Sequence, residues 1–210
     1  MANIFTPFGF RPLRRIDGAA WTANQTPYQI AAANAHKFFA GDPVTLLSTG
    51  FIDVLTPGTT QIAGIFVGCA YFSTALGRTN PSLQFPGGDT TQNVTAFIID
   101  DPNATFLVQV GTTVGGNQVG GPAVQADVGA NFNFAFGTGS TATGLSGAFL
   151  DYSTRGPATS TLPFRIVNLN QTPYNGQGFP PGYNGSDGTT AGNFVEVAFN
   201  NQNFKSLTGI

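Results

Sequence analysis

The pattern that decides the fold is Asn131-Phe132-Asn133-Phe134-Ala135-Phe136, in which phenylalanine takes every second position. Successive side chains of a strand point to opposite faces of its sheet. The alternation therefore predicts a half-buried strand whose three phenylalanines face the core. Shorter apolar stretches bounded by Gly, Pro or Asn recur on both sides of this segment, which extends the prediction of strands to most of the chain.

About ten short strands and almost no helix predict an all-β fold, a β-sandwich or barrel that is jelly-roll-like. Residues 44–47 and 51–55 flank a turn that ends at Gly50, and we expect them to pair as a hairpin. The apolar run at 62–72 predicts a strand with bends or bulges at Gly64 and Gly68. The one helical turn is expected at 31–39. The other strands are predicted at 28–30, 94–100, 105–110, 148–150, 162–169 and 193–200, and long Gly- and Pro-rich loops at 76–93, 111–121 and 170–193.

The composition describes a folded chain with very little charge. Only 9% of the 210 residues are charged, against about 25% in an ordinary globular protein. The net charge of −2 and the 20 phenylalanines exclude a charge-driven disordered chain. A surface this poor in charge is typical of proteins that work in assemblies, because each charge at an interface carries a desolvation cost. A secreted, neutral β-protein is the alternative interpretation.

Residues 1–23 differ from the rest and predict an extended aromatic and basic arm in front of a β-domain at 24–210. Proline at positions 7 and 12 favours extended backbone. An ordinary first strand with a frayed end is the alternative. Three phenylalanines in six residues need a groove on this chain or another, and we expect a neighbouring subunit or another protein of the same assembly to supply it. The predicted contact residues are Phe5, Phe8, Phe10, Arg11, Arg14 and Arg15.

The residues that could carry catalysis are few. His36 is the only histidine, which excludes a multi-histidine metal site within one chain. Cys69 lies in an apolar run, where a buried and inert thiol is expected. Asp100 and Asp101 precede a proline and predict a turn at the end of a strand, not a calcium loop. We therefore predict no catalytic residue, no metal, no cofactor and no enzymatic activity.

Nucleic acid, membrane and secretion are also predicted not to be involved. Three arginines in the arm are few beside the 6–10 phosphate contacts of a typical nucleic-acid site, and the rest of the chain is acidic. The longest apolar run, 62–72, is far shorter than the ~20 residues of a membrane helix. The start of the chain lacks the pattern of a signal peptide. Synthesis in the cytoplasm of a host cell is the expectation.

Several segments resemble the decoration, or cement, proteins of tailed bacteriophages, which bind the outside of the capsid. The resemblance covers most of the chain in short pieces and does not include 175–192. It implies a virion structural protein on the capsid exterior that contacts the major capsid protein and acts as a homo-oligomer, a trimer in preference to a dimer. The segments are Ala2-Asn3 with Phe8-Gly9-Phe10-Arg11-Pro12, Gly41-Asp42-Pro43-Val44 with Gly50, Ala63-Gly64-Ile65-Phe66-Val67-Gly68, residues 97–102 with 106–109, residues 141–147 and residues 195–201.

Two further functions stay open at this point. Tyr174, Phe179 and Tyr183 in the long loop could stack on sugar rings, which favours a carbohydrate- or host-binding module on the virion surface as the alternative. Loop packing or a contact between subunits explains the same residues equally well. A glycan hydrolase needs two positioned carboxylates, and no local pattern indicates such a pair.

Overall fold

The structure, a computed structural model, describes residues 4–19, 24–58, 61–88, 92–112, 122–156, 160–169 and 191–205. These residues form an all-β fold, which confirms the predicted fold class. Short 3-10 turns lie at Gln125–Asp127 and Asn203–Lys205. The strands are β1 (Arg11–Arg15), β2 (Thr26–Ile30), β3 (Phe38–Phe39), β4 (Pro43–Leu46), β5 (Ile52–Val54), β6 (Gly64–Ser73), β7 (Arg78–Ser82), β8 (Gln84–Phe85), β9 (Val94–Ile99), β10 (Ala104–Gly111), β11 (Asn131–Phe136), β12 (Ala148–Gly156), β13 (Phe164–Leu169) and β14 (Phe194–Phe199).

Five strands close into a barrel. Their order is β10-β12-β11-β13-β14, and β14 pairs again with β10. All of these pairings are antiparallel except β10 with β12, which is parallel and short. Closure removes the free edges that an open sheet would leave. Strand β1 lies outside the ring and pairs with β10.

The strand β11 confirms the interpretation of its alternating pattern. Phe132 and Phe134 are completely buried in the barrel, and Phe136 packs against the same core with part of its ring exposed. All eight residues of β10 are buried, although only every second one can face the barrel interior. Another part of the chain must therefore cover the outer face of β10.

A second sheet has the order β2-β9-β6-β4-β5, and β7 pairs with β6. The predicted hairpin is present as β4 and β5, and Gly50 adopts φ +83° in its turn. The β6–β9 register shifts between Phe66 and Gly68, which confirms a bulge in β6. Gly64 passes so close to β9 that an added Cβ would lie 2.3 Å from the Ile99 carbonyl oxygen.

The second sheet is an insertion in the sequence of the first. Residues 26–99 lie between β1 and β10, which pair side by side. Each sheet has its own hydrophobic core. Ile65 of β6 and Ile99 of β9 nevertheless belong to the barrel core, so the two sheets share packing at these residues.

Two local predictions are wrong. Residues 31–39 form no helix; they contain a turn in which Ala33 adopts φ +60°, followed by β3. Residues 76–93 are not only loop, because β7 and β8 lie within them. Strand β7 is polar and mostly exposed, so it lacks the apolar alternation by which a strand is recognised.

Candidate functional site

Phe10, one of the predicted contact residues, lies inside the barrel. Its ring stacks on Phe164 with centroids 4.2 Å apart and meets the edge of Phe134 at 6.4 Å. Only 1% of the residue is exposed. The expectation that a neighbouring subunit buries Phe10 is therefore wrong, because this chain supplies the groove and leaves no free surface on the ring.

Phe5 and Phe8 also pack on the barrel, but from outside. Phe5 meets Phe149 edge to face at 5.3 Å, and Phe8 meets Phe194 in the same way at 5.5 Å. Phe5 fills the space above Gly111, where a Cβ would lie 2.4 Å from its ring. Both residues remain half-buried. The N-terminal segment, defined here as residues 4–15, is thus the cover that buries the outer face of β10.

The backbone of this segment is held in place by hydrogen bonds. Gln109 of β10 is fully buried; its Nε2 donates to the Ile4 carbonyl at 2.8 Å, and its Oε1 accepts from Thr6 N at 3.0 Å. Gly9 N donates to Ala148 O at 3.1 Å. Residues 11–15 then pair with β10. The segment is extended as predicted, but it is part of the sheet and not a separate arm.

Two glycines allow the chain to cross from the outer face into the core. Gly9 and Gly41 have φ of +80° and +101°, and a Cβ on Gly41 would lie 3.0 Å from Phe10 N. Beside them lies Asp42, a buried carboxylate that accepts a hydrogen bond from Phe39 N at 2.7 Å. Burial raises the pKa of Asp42 to about 6, against the opposing effect of hydrogen bonds with Ser146 and Phe39.

Arg14 is committed to an ion pair within the chain. Its Nε and Nη2 donate to Glu196 Oε1 and Oε2 at 2.7 and 2.8 Å. Thr105 Oγ1 donates to Glu196 Oε1 at 2.7 Å. Burial alone would raise the pKa of Glu196, but the hydrogen bonds from Arg14 and Thr105 and the charge of Arg14 outweigh it and lower that pKa. A lone glutamate in an apolar strand was the signal for such a partner, although the sequence could not say which cation supplies it.

The other two arginines differ from each other. Arg15 lies between two carboxylates, 3.4 Å from Asp17 and 3.3 Å from Asp101. Arg11 instead holds its guanidinium 4.6 Å from the centroid of the Phe8 ring. No carboxylate in the described part of the chain lies within ion-pair distance of Arg11. Arg11 is therefore the arginine of the predicted site whose charge is available to a partner.

Two apolar cavities adjoin the N-terminal segment and the second sheet. The first, of about 310 Å³, is lined by Phe8, Arg11 and Pro12 on one side and by Ile65, Val67 and Leu145 on the other. The second, of about 380 Å³, lies along β6, with Val67 again in its lining together with Pro81, Leu83 and Phe97. The structure therefore brings Phe8 and Arg11 of the predicted site to an apolar depression that sequence reasoning did not foresee.

The remaining candidates are buried or make contacts within the chain. The Cys69 thiol is buried, and burial raises its pKa to about 12. His36 is exposed, with Nδ1 2.8 Å from Asp53 Oδ1. Asn103 N donates to Asp101 Oδ1 at 2.9 Å, which confirms the predicted turn at the end of β9. No three His, Cys, Asp or Glu side chains of the described residues come together as metal ligands would.

The exposure of several apolar side chains was not predicted from the sequence. Ile4, Leu13 and Ile16 are 77%, 38% and 55% exposed, and they lie within or directly after the N-terminal segment. Exposure depends on which neighbours cover a side chain, and the sequence alone does not give those neighbours. The predicted loop contacts Tyr174, Phe179 and Tyr183 lie outside the described residues.

No protein-family model, no curated protein and no solved structure matches this chain. None of the helical segments in the described ranges has the length and hydropathy needed to cross a lipid bilayer.

Proposed function

We propose that this chain is a virion structural protein: a decoration, or cement, protein that binds the outer surface of a tailed-phage head and stabilises contacts between subunits of the major capsid protein. The resemblance of several segments to that family supports the proposal. The structural observation that carries it is the N-terminal segment, which is fixed to the barrel and yet leaves apolar side chains exposed.

Exposed apolar residues recur at this end of the chain. Among the described residues nine large hydrophobic side chains are exposed, and Ile4, Leu13 and Ile16 are three of them. Burying apolar surface contributes about 25 cal/mol per Å². Because hydrogen bonds already hold the backbone here, a partner meets an ordered surface and less entropy is lost on binding.

The distribution of charge supports an assembly role in a second way. Four of the ten acidic residues, Asp42, Asp127, Asp151 and Glu196, are buried in the fold. The outer surface is thus even poorer in acids than the composition indicates. This protein can then bind a protein coat with a small desolvation cost, because few charged groups are removed from water.

Binding by addition of a strand to β1 is disfavoured. Pro12 lacks a backbone donor, and the β1–β10 register shifts between Pro12 and Arg14, which makes Leu13 a bulge. Proline, bulges and charged side chains are the features by which edge strands avoid pairing with other chains. A partner should therefore meet the side chains of this surface, not its backbone.

We expect the protein to act as a homotrimer on the capsid exterior. Three linked copies hold the second and third contacts at high effective concentration, so avidity exceeds a single contact by about 10² or more. Light scattering of the purified protein tests this. A monomer in solution that also decorates heads as isolated single copies contradicts the trimer.

Co-sedimentation with phage heads that lack the protein tests the proposed function. The double variant Leu13→Ser/Ile16→Ser should bind heads at least tenfold more weakly, because each aliphatic side chain buried in a contact contributes up to about 1.5–3 kcal/mol. The matched control is Leu47→Ser/Leu76→Ser, whose side chains are similarly exposed at 39% and 54%. If the heads sediment and the wild-type protein stays in the supernatant, the proposed function is refuted. Equal loss in both double variants refutes the assigned surface.

A further inference from the structure

The two apolar cavities lie next to each other, since Val67 lines both of them, and together they are called the trough. Their volumes, about 310 and 380 Å³, together fall within the ~300–1,000 Å³ of ordinary ligand sites. The trough runs from Arg11 and Phe8 at one end to Pro81 and Leu83 at the other. Leu83 is 52% exposed, so an apolar wall faces solvent there.

Backbone contacts hold both ends of the trough. The bulge in β6 interrupts the register with β9 beside Val67, which leaves this side chain only partly buried. Ala40 N donates to both Leu83 O and Gly144 O at 2.9 Å, which fixes the Leu83 wall. The other end of the trough is formed by the N-terminal segment, which is held by the hydrogen bonds described above.

Charge distinguishes the two ends. Among the described residues that line the two cavities, Arg11 is the only charged one. Its guanidinium rests on Phe8, 4.6 Å from the ring centroid, and the described residues offer it no carboxylate. The trough is therefore complementary to an apolar chain that carries one negative charge at the Arg11 end.

We propose that the trough binds an extended peptide segment of a partner protein, with apolar side chains in the two cavities and a carboxylate beside Arg11. An extended segment places every second side chain on one face, which suits a row of two cavities. A nucleic acid does not fit, because it needs several cations and this trough has one. The proposal deepens the proposed function, on which the identity of the partner as the capsid protein rests.

A six-residue peptide tests the trough without phage heads. It begins with aspartate and then alternates threonine with leucine or isoleucine, which places the aspartate and the apolar side chains on one face. Its matched control begins with asparagine. In amide NMR spectra of the intact protein, the aspartate peptide should shift the signals of Arg11, Val67 and Leu83 but not that of Leu47. The asparagine peptide should bind about threefold more weakly, which is the size of an exposed ion pair. A peptide that shifts none of the three signals at millimolar concentration overturns the proposal.

Variants then connect the trough with the heads. Arg11→Gln should weaken peptide binding about threefold and Leu83→Ser about tenfold, and both should weaken head binding. The controls Arg78→Gln and Leu76→Ser change an exposed cation and an exposed leucine outside the trough and should leave both affinities unchanged. Head binding that is normal in Arg11→Gln and Leu83→Ser overturns the trough while the proposed function stands. If the protein binds the peptide but does not bind heads, the trough is a peptide-binding site and the proposed partner is wrong.

Discussion

Phe10→Ala should destabilise the barrel as much as a truncation in the middle of its core. The ring is 1% exposed, and an aromatic side chain buries about 150–250 Å². At about 25 cal/mol per Å² this is about 4–6 kcal/mol before the core relaxes. Truncations of buried phenylalanine in other cores cost about 3–5 kcal/mol, so we expect about 4 kcal/mol. A whole domain has only about 5–15 kcal/mol of stability.

Urea denaturation of wild type and variant measures this change. The midpoint should fall, and the slope m should stay constant, because the surface exposed on unfolding hardly changes. Leu13→Ala is the control from the same segment, since its side chain is 38% exposed, and it should shift stability by less than about 0.5 kcal/mol. A loss below about 1 kcal/mol for Phe10→Ala, with m unchanged, means that the ring is not part of the core.

Three further predictions concern the residues around this segment. Arg14→Ala should cost about 1.5–3 kcal/mol at pH 7, and calorimetry at lower pH should show the difference vanish as Glu196 protonates below its ordinary pKa of 4.5. Asp42→Asn should remove a pH dependence of the free energy of unfolding. Asp42 has a pKa of about 6 in the folded protein and 3.8 in the unfolded chain. Its contribution to stability is therefore complete below pH 3.8, and about 3 kcal/mol is lost as the pH rises through 6. A wild-type denaturation midpoint that does not fall between pH 4 and 6 contradicts this. Gly41→Ala should lower the melting temperature more than Gly50→Ala, because both have positive φ but only Gly41 meets neighbouring atoms; equal shifts exclude the close contact.

The strands that could be predicted from the sequence are those whose environment produces a recognisable pattern within the strand or its turn. Strand β11 alternates because one face meets the core, and the β4–β5 hairpin has its turn glycine between two apolar runs. Strand β7 escaped because it is a polar strand at the side of β6, with Pro81 among its five residues. Its pairing depends on β6, which no pattern within β7 reveals.

The candidate site was predicted by residue type but not by environment. An aromatic and basic segment needs a groove, and the sequence indicated that need. Which chain offers the groove is a question of long-range contact: Phe10 meets Phe164, and Arg14 meets Glu196, 182 residues further along. No pattern within residues 1–23 contains that information. The sequence could not show that Arg11 differs from Arg14 and Arg15, because that difference depends on which arginines have carboxylates next to them in the fold.

Because β1 pairs with a strand that follows the insertion, its folding during synthesis is delayed. Arg14 and Thr105 are neighbours although they are 91 residues apart. A ribosome adds about 5–20 residues per second, so β1 waits on the order of 5–20 s for its partner. During that interval Phe5, Phe8 and Phe10 have no barrel to cover them, and three rings remain in water. The rings stay uncovered even after β10 emerges, until Phe149, Phe164 and Phe194 are made. The nascent chain is therefore most prone to aggregate before β14 emerges, and its yield should respond to chaperones and to translation speed more than the stability of the finished barrel indicates.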